Sequence, residues 1–288
     1  PGKVCHDARM QPSASTLVTV APTGAETEKA DFPALPTTLE ELVETARRCE
    51  ASGAAMIHVH IRDAEHRPTL DLGRLRETVA ALRSETTLVV QLSTGGSVHD
   101  PLDDRLRVLD AAPDSCSLTM GTVNFGDEVF SNPWPFIVEL YRAARDSEVV
   151  PEFELFDLGH VAALHRLLDA EGLPYGDRVH CDLVMGVPGG MPGTADALVA
   201  AVTAFPSAVT SWSATGIGRT TLPVALASLA KGGHLRVGME DTLSLARRVP
   251  VKHNAELVDR AVALAELAQR PAMSPDGARE LLNVRAAA

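Results

Sequence analysis

The chain has 288 residues, 45% hydrophobic and 22% charged, a balance that suits a soluble globular protein with one large α/β barrel or two ordinary domains. Its net charge of −12 argues against nucleic acid or an anionic membrane as the main partner, while a few local arginines could still hold an anionic small molecule. The four cysteines, Cys5, Cys49, Cys116 and Cys181, form no Cys-x-x-Cys motif; with no signal peptide and no membrane-length apolar run, they suit a reducing cytoplasm.

Residues 1–15 are polar and read as an arm. Residues 17–21 read as a strand, followed by a long loop carrying Glu26, Pro33 and Pro36. Thr38 caps a helix running to about Ser52, with Glu41 at the capping-box position and Gly53 as its stop. Residues 56–63 are β-branched at Ile57, Val59 and Ile61 and read as a second strand. The alternation continues with helices over 72–83, 101–111, 133–145, 161–170, 195–205, 222–230 and 255–269. Strands fall between them at 88–93, 115–120, 150–157, 178–185, 208–214 and 235–239, and a short helix at 275–282 ends the chain. Strict alternation means parallel strands with helical crossovers, and eight such units in this length fit a (β/α)8 TIM barrel. An open doubly wound sheet is the runner-up, but no G-x-G-x-x-G follows the first strand. One barrel domain spanning 1–288 is the expected organisation.

Strands of a parallel barrel are covered on both faces and should be almost wholly apolar. Here polar residues coincide on one face of several strands, because side chains alternate along a strand. The sets are His58 with His60, Gln91 with Ser93, Ser115 with Ser117 and Thr119, Glu152 with Glu154, His180 with Asp182, and Arg236 with Glu240. Buried charge is costly unless paired, so the sets imply a functional barrel mouth or a structural polar network inside the barrel. His58 and His60 can offer two imidazoles to one metal ion; they also fit two hydrogen-bonded core histidines. Zinc, iron, nickel and cobalt all accept imidazole. Glu240 is the natural third ligand, leaving an open coordination position. Arg236 can pair with Asp241, and such a pair should keep that carboxylate ionised with a low pKa.

Seven stretches then resemble one family in order along the chain. They are Thr23-Gly24-Ala25-Glu26, His58-Val59-His60-Ile61-Arg62-Asp63, Ser93-Thr94-Gly95-Gly96, Gly121-Thr122-Val123-Asn124-Phe125, Gly186-Val187-Pro188-Gly189-Gly190, Gly216-Ile217-Gly218-Arg219 and residues 233–241. Together they resemble the β-keto acid cleavage enzymes, whose best-known member cleaves 3-keto-5-aminohexanoate. The resemblance implies a (β/α)8 fold, bound zinc and a homotetramer. It also implies a reaction of a β-keto acid with acetyl-CoA to give acetoacetate and a new acyl-CoA. The zinc ligands match His58, His60 and Glu240, and the acid–base group matches Asp241, supported by Arg236 and Ser93. Glu26 matches the carboxylate that reads the substrate's amine, which implies a cationic keto acid; Thr94, Gly95, Ser117, Thr119 and Glu154 are the further substrate-binding candidates. Ser117 and Thr119 depart from that member, which has threonine and asparagine there, so the pocket is expected to differ in shape.

Two other readings compete. A metal-dependent hydrolase of the amidohydrolase kind resembles this chain in its barrel H-x-H, but needs that motif on the first strand and histidines on strands five and six. Here the motif is on the second, strand five has none, and His180 is the one candidate on strand six. A non-catalytic metal-binding barrel would turn over no thioester. No lysine falls in an expected strand, which disfavours a Schiff-base route.

Overall fold

The computed structural model describes residues 13–285, so most of the expected arm lies outside the described residues. Eight parallel strands close into a barrel: β1 (Val18–Val20), β2 (Met56–Val59), β3 (Val89–Leu92), β4 (Ser115–Thr119), β5 (Val150–Leu155), β6 (Val179–Met185), β7 (Val209–Gly216) and β8 (His234–Val237). Each strand pairs with its sequence neighbours, and β1 closes the ring against β8, with Val18 level with Leu235 and Val20 with Val237. The helices are α1 (Leu39–Ala51), α2 (Leu72–Glu85), α3 (Leu102–Arg107), α4 (Trp134–Asp146), α5 (Leu158–Glu171), α6 (Ala195–Thr203), α7 (Thr221–Ala230), α8 (Asn254–Leu267) and α9 (Pro275–Leu282). The TIM-barrel reading is therefore correct. Among the described residues, no helix is long and apolar enough to cross a membrane.

Local chemistry accounts for the element ends. Thr38 Oγ1 accepts from the Glu41 N–H at 3.2 Å while the Glu41 carboxylate accepts from the Thr38 N–H, the expected capping box. Helix α5 starts earlier than expected, because Asp157 leaves the strand to accept from the Gly159 and His160 N–H groups as an N-cap. Strand β2 ends at Val59 rather than running to Asp63; Ile61–Arg62 pairs antiparallel with Pro68–Thr69 in a hairpin above the barrel. Strand β8 ends at Val237, so Glu240 and Asp241 sit on the turn after it and not on the strand.

The apolar side chains of the strands face the helices. Val20, Ile57, Val59, Val90 and Leu92 pack on α1, α2 and α8, and Cys116, Leu118, Phe153, Cys181 and Leu183 pack on α4 and α5 residues. Burying such side chains is worth roughly 1.5–3 kcal/mol each. Cys49, Cys116 and Cys181 are buried free thiols. Leu17, Met56, Val89 and Val150, at the strand starts, pack with Ala278 and Leu282 of α9, which plugs the amino-terminal end of the barrel. The interior carries the polar sets. Gln91 is level with both His58 and Ser115, Glu152 with Ser117 and His180, and Glu154 with Thr119 and Asp182.

Candidate active site

The turn after β8 is folded back onto β1. The Ala21 carbonyl accepts from the Glu240 N–H at 3.2 Å, and a side chain on Gly238 would collide with the Ala21 backbone. Gly24, at φ +65°, leaves room for Glu240; a Cβ there would lie 2.7 Å from Glu240 Cγ. Arg62 ties the loop after β1 in place, donating to the Gly24 and Thr27 carbonyls at 2.7 and 3.1 Å and to the His66 carbonyl at 3.2 Å.

This folding brings Glu240 to His58 and His60, about 180 residues earlier in the chain. His58 Nε2 and His60 Nε2 each lie 3.8 Å from Glu240 Oε1, and one donor atom from each residue falls within 4.8 Å of the others. Burial, with Arg236 adding for both, pushes both imidazole pKa values down, so each ring is neutral near neutral pH and has one lone pair to offer. His58 Nδ1–H donates to Gln91 Oε1 at 2.5 Å, and Gln91 Nε2 donates to Ser115 Oγ at 3.1 Å. That chain turns His58 Nε2 toward Glu240, as a metal ligand's outer hydrogen bond should. Burial raises the Glu240 carboxyl, but Arg236 and the two histidines outweigh it and bring it down to about 2. Glu240 Oε2 has no hydrogen-bond partner among the described residues. Two neutral imidazoles and a carboxylate oxygen therefore fit a divalent ion such as zinc, with a coordination position left open.

Arg236 is the hub of the remaining charge. It donates to Glu154 Oε1 at 3.1 Å, to Asp241 Oδ1 at 3.1 Å and to Glu240 Oε1, and its Nη1 lies 4.0 Å from Asp182 Oδ2. The expectation that Arg236 keeps Asp241 at low pKa is overturned. Burial raises Asp241 to about 7 against the pull of Arg236, with the neighbouring Glu240 charge adding to the rise. Two carboxylates that share one guanidinium are thereby driven apart in pKa, one a fixed anion and one able to exchange a proton. Asp241 Oδ2 is buried without a partner among the described residues.

These groups line one side of a cavity of about 280 Å³, together with Glu26, Ser93, Gly95 and Glu154. Thr94, Ser117 and Thr119 do not line it. Thr94 Oγ1 donates to the Ser117 carbonyl at 2.6 Å and Thr119 Oγ1 to Glu154 Oε2 at 2.8 Å, so they brace the wall from behind. Glu26 is exposed at the mouth, where burial and Glu128 raise its carboxyl pKa against Arg62 and His99. His180 stays inside the barrel, bonded to Ser211 and Ser213 and 3.3 Å from Glu152, which removes the histidine that the hydrolase reading needed. Both readings of the polar faces hold in part: the upper groups reach the cavity, while Gln91, Ser115, Glu152 and His180 form an internal network.

The opposite wall was missed. It consists of Val98, Phe125, Phe130, Phe156, Val184, Val187 and Ile217. Phe125 and Phe130 stand on a hairpin, Val123–Phe125 paired with Glu128–Phe130. Its signal was present in the alternating residues about Gly126-Asp127.

Comparison with known proteins places this geometry. The family model described as beta-keto acid cleavage enzyme matches residues 15–284. A 3-keto-5-aminohexanoate cleavage enzyme of Acetoanaerobium sticklandii is 35% identical over 270 residues, covering 93% of this chain and 98% of that one. A 3-oxoadipate:acetyl-CoA acetyltransferase of Cupriavidus necator is 32% identical over 273 residues, covering 93% and 94%. Apo ObcA has a similar barrel, with a TM-score of 0.75 at 21% identity, covering 88% of this chain and 66% of that one. The match along nearly the whole chain makes this protein a member of the β-keto acid cleavage enzyme family.

Proposed function

We propose that the protein exchanges acyl groups between a β-keto acid and acetyl-CoA at a zinc site formed by His58, His60 and Glu240. The observation that carries the reading is the convergence of this donor set with Asp241 and Arg236 on one cavity. Zinc held there would supply Lewis acidity to the oxygens of the keto acid. Asp241 takes the proton from C2, a role suited to a carboxyl group raised to about 7. The resulting carbanion attacks the acetyl thioester and CoA thiolate leaves. The thiolate then attacks the original keto carbon, the C2–C3 bond breaks, and Asp241 returns its proton to C2 of acetoacetate. Arg236 holds Asp241 and Glu154 in place through both steps, and Ser93 Oγ, which accepts from the Gly95 N–H at 3.1 Å, sits at the cavity wall to orient substrate.

The one barrel carries the whole activity in this reading. A homotetramer is supported by the family resemblance and by exposed Leu222 and Leu226, one turn apart on α7, with Val199 on neighbouring α6. A cationic keto acid rests on Glu26 at the mouth; the two relatives named above act, by their names, on keto acids with oppositely charged tails. The test is a coupled assay of acetyl-CoA with a panel of β-keto acids, alongside metal analysis. Acetoacetate formation with about one zinc per chain, lost in His58→Ala and His60→Ala, is expected. Full zinc retention in both variants would sink the metal assignment, and no thioester turnover would sink the reaction.

A further inference from the structure

The cavity is divided. The β1, β2 and β8 ends and the loop after β1 bring most of the charged groups, with Glu154 from β5 and the Ser93 hydroxyl beside them, while Val98, Phe125, Phe130, Phe156, Val184, Val187 and Ile217 form an apolar wall. Phe125, Phe130 and Phe156 meet edge to face, with ring centroids 6.2 to 6.5 Å apart, so they pack on one another and leave no slot between them for a cation. Val184 and Val187 are buried against the same cluster, and Val98 and Ile217 complete it.

The wall is preformed. The Gly126 N–H donates to the Pro188 carbonyl at 3.0 Å, which clamps the phenylalanine hairpin to the loop after β6. Gly95 leaves room for Phe130, since a Cβ there would lie 3.2 Å from both Phe130 Cζ and Ser93 Oγ. The charged and apolar walls therefore abut at Gly95.

Behind Phe130 lies Arg105, buried and absent from the cavity lining, with its guanidinium 4.8 Å from the Phe130 centroid and 4.7 Å from that of Phe136. Its hydrogen bonds go to neutral acceptors: the Thr94 carbonyl at 2.7 Å, the Ser131 carbonyl at 2.9 Å and Asn132 Oδ1 at 2.5 Å. Among the described residues it forms no salt bridge, and the Glu154 and Asp100 carboxylates act on its charge only through space. A cationic tail against Phe130 would meet that charge through the ring, on an aromatic face already engaged by a cation. An anionic tail would lose its water to seven apolar side chains that offer no donor.

We infer that the β-keto acid carries an uncharged, apolar tail, seated on Phe125, Phe130, Phe156, Val184, Val187 and Ile217. This rests on the reading of the cavity as the keto acid site, and it replaces the cationic tail that Glu26 at the mouth suggests with an uncharged one. Each methylene buried on the wall adds about 0.8 kcal/mol, which is about fourfold in affinity.

Calorimetric titration of the zinc-loaded chain, without acetyl-CoA, tests the tail separately from the reaction. The probes are 3-oxobutanoate, 3-oxopentanoate, 3-oxohexanoate, 5-amino-3-oxohexanoate and 3-oxoadipate. Kd should tighten about fourfold per methylene along the alkyl series, and both charged probes should bind at least about tenfold more weakly than 3-oxohexanoate. Ile217→Glu, at a partly exposed position, should abolish the chain-length gain and favour the amino probe. Phe125→Ala should weaken 3-oxohexanoate more than 3-oxobutanoate. A charged probe binding tightest, a flat alkyl series, or an alkyl series unchanged in both variants overturns the proposal. Binding as expected without acyl exchange to acetyl-CoA supports the tail class and overturns the reaction alone.

Discussion

Asn254 Oδ1 accepts from the Met239 N–H at 2.8 Å while Asn254 Nδ2 donates to the Pro22 carbonyl at 3.1 Å. The first residue of α8 thus staples the turn after β8 to the end of β1, and Glu240 and Asp241 follow directly on that turn. Asn254 is buried, so Asn254→Ala leaves two backbone groups without their partner, at a cost of about 1–3 kcal/mol each in stability. Zinc affinity should fall about tenfold to a hundredfold as Glu240 loses its anchorage. Asn254→Asp keeps the acceptor and should retain more of both. Denaturant unfolding and competition with a chromophoric chelator read the two effects, and unchanged zinc affinity in Asn254→Ala would remove the staple from the site.

Gln91 should matter through His58 alone. Gln91→Leu removes the acceptor for His58 Nδ1–H and frees the ring to turn. Zinc binding is expected to weaken about tenfold to a hundredfold, with the circular dichroism spectrum unchanged. Wild-type zinc affinity in this variant would show that the ring is held by packing instead.

Asp241→Asn should fold and keep zinc, since it preserves size and leaves the three ligands intact. Loss of the base is expected to lower kcat about a hundredfold to ten-thousandfold. Hydrogen–deuterium exchange at C2 of the keto acid, followed by NMR without acetyl-CoA, isolates the proton step. Wild-type exchange in Asp241→Asn would assign the base elsewhere.

His234 sets a pH limit on stability away from the cavity. Its Nδ1 accepts from the Leu17 N–H at 3.0 Å, and burial, with help from His180 and Arg270, pushes its pKa down to about 3. Below about pH 6.5 the unfolded chain protonates this imidazole and the folded chain does not. The contribution is therefore complete above about pH 6.5 and is lost as pH falls toward 3, at about 1.4 kcal/mol per unit. His234→Asn keeps an acceptor near Leu17 but cannot titrate, so its unfolding free energy should fall about 2 kcal/mol less than wild type between pH 6.5 and 5. Parallel curves for the two proteins would rule out His234 as a source of acid lability.

The sequence determined the architecture, because alternation of strand and helix periods is a local property. Eight such units, with apolar runs facing the helices, left a closed barrel as the fold, and it also exposed His58, His60, Glu240 and Arg236 as residues out of place in a dry interior. What lay beyond it was decided by contacts between distant segments. The fold of the β8 turn onto β1 brought Glu240 to the histidines, since three-dimensional closure and not spacing sets that distance. Burial reversed the expected pKa of Asp241, because desolvation depends on every neighbour and the sequence displays only the adjacent arginine. The apolar wall was illegible for a related reason: phenylalanine and valine read as core anywhere in a chain, and only the barrel's closure showed that these face a cavity rather than a helix.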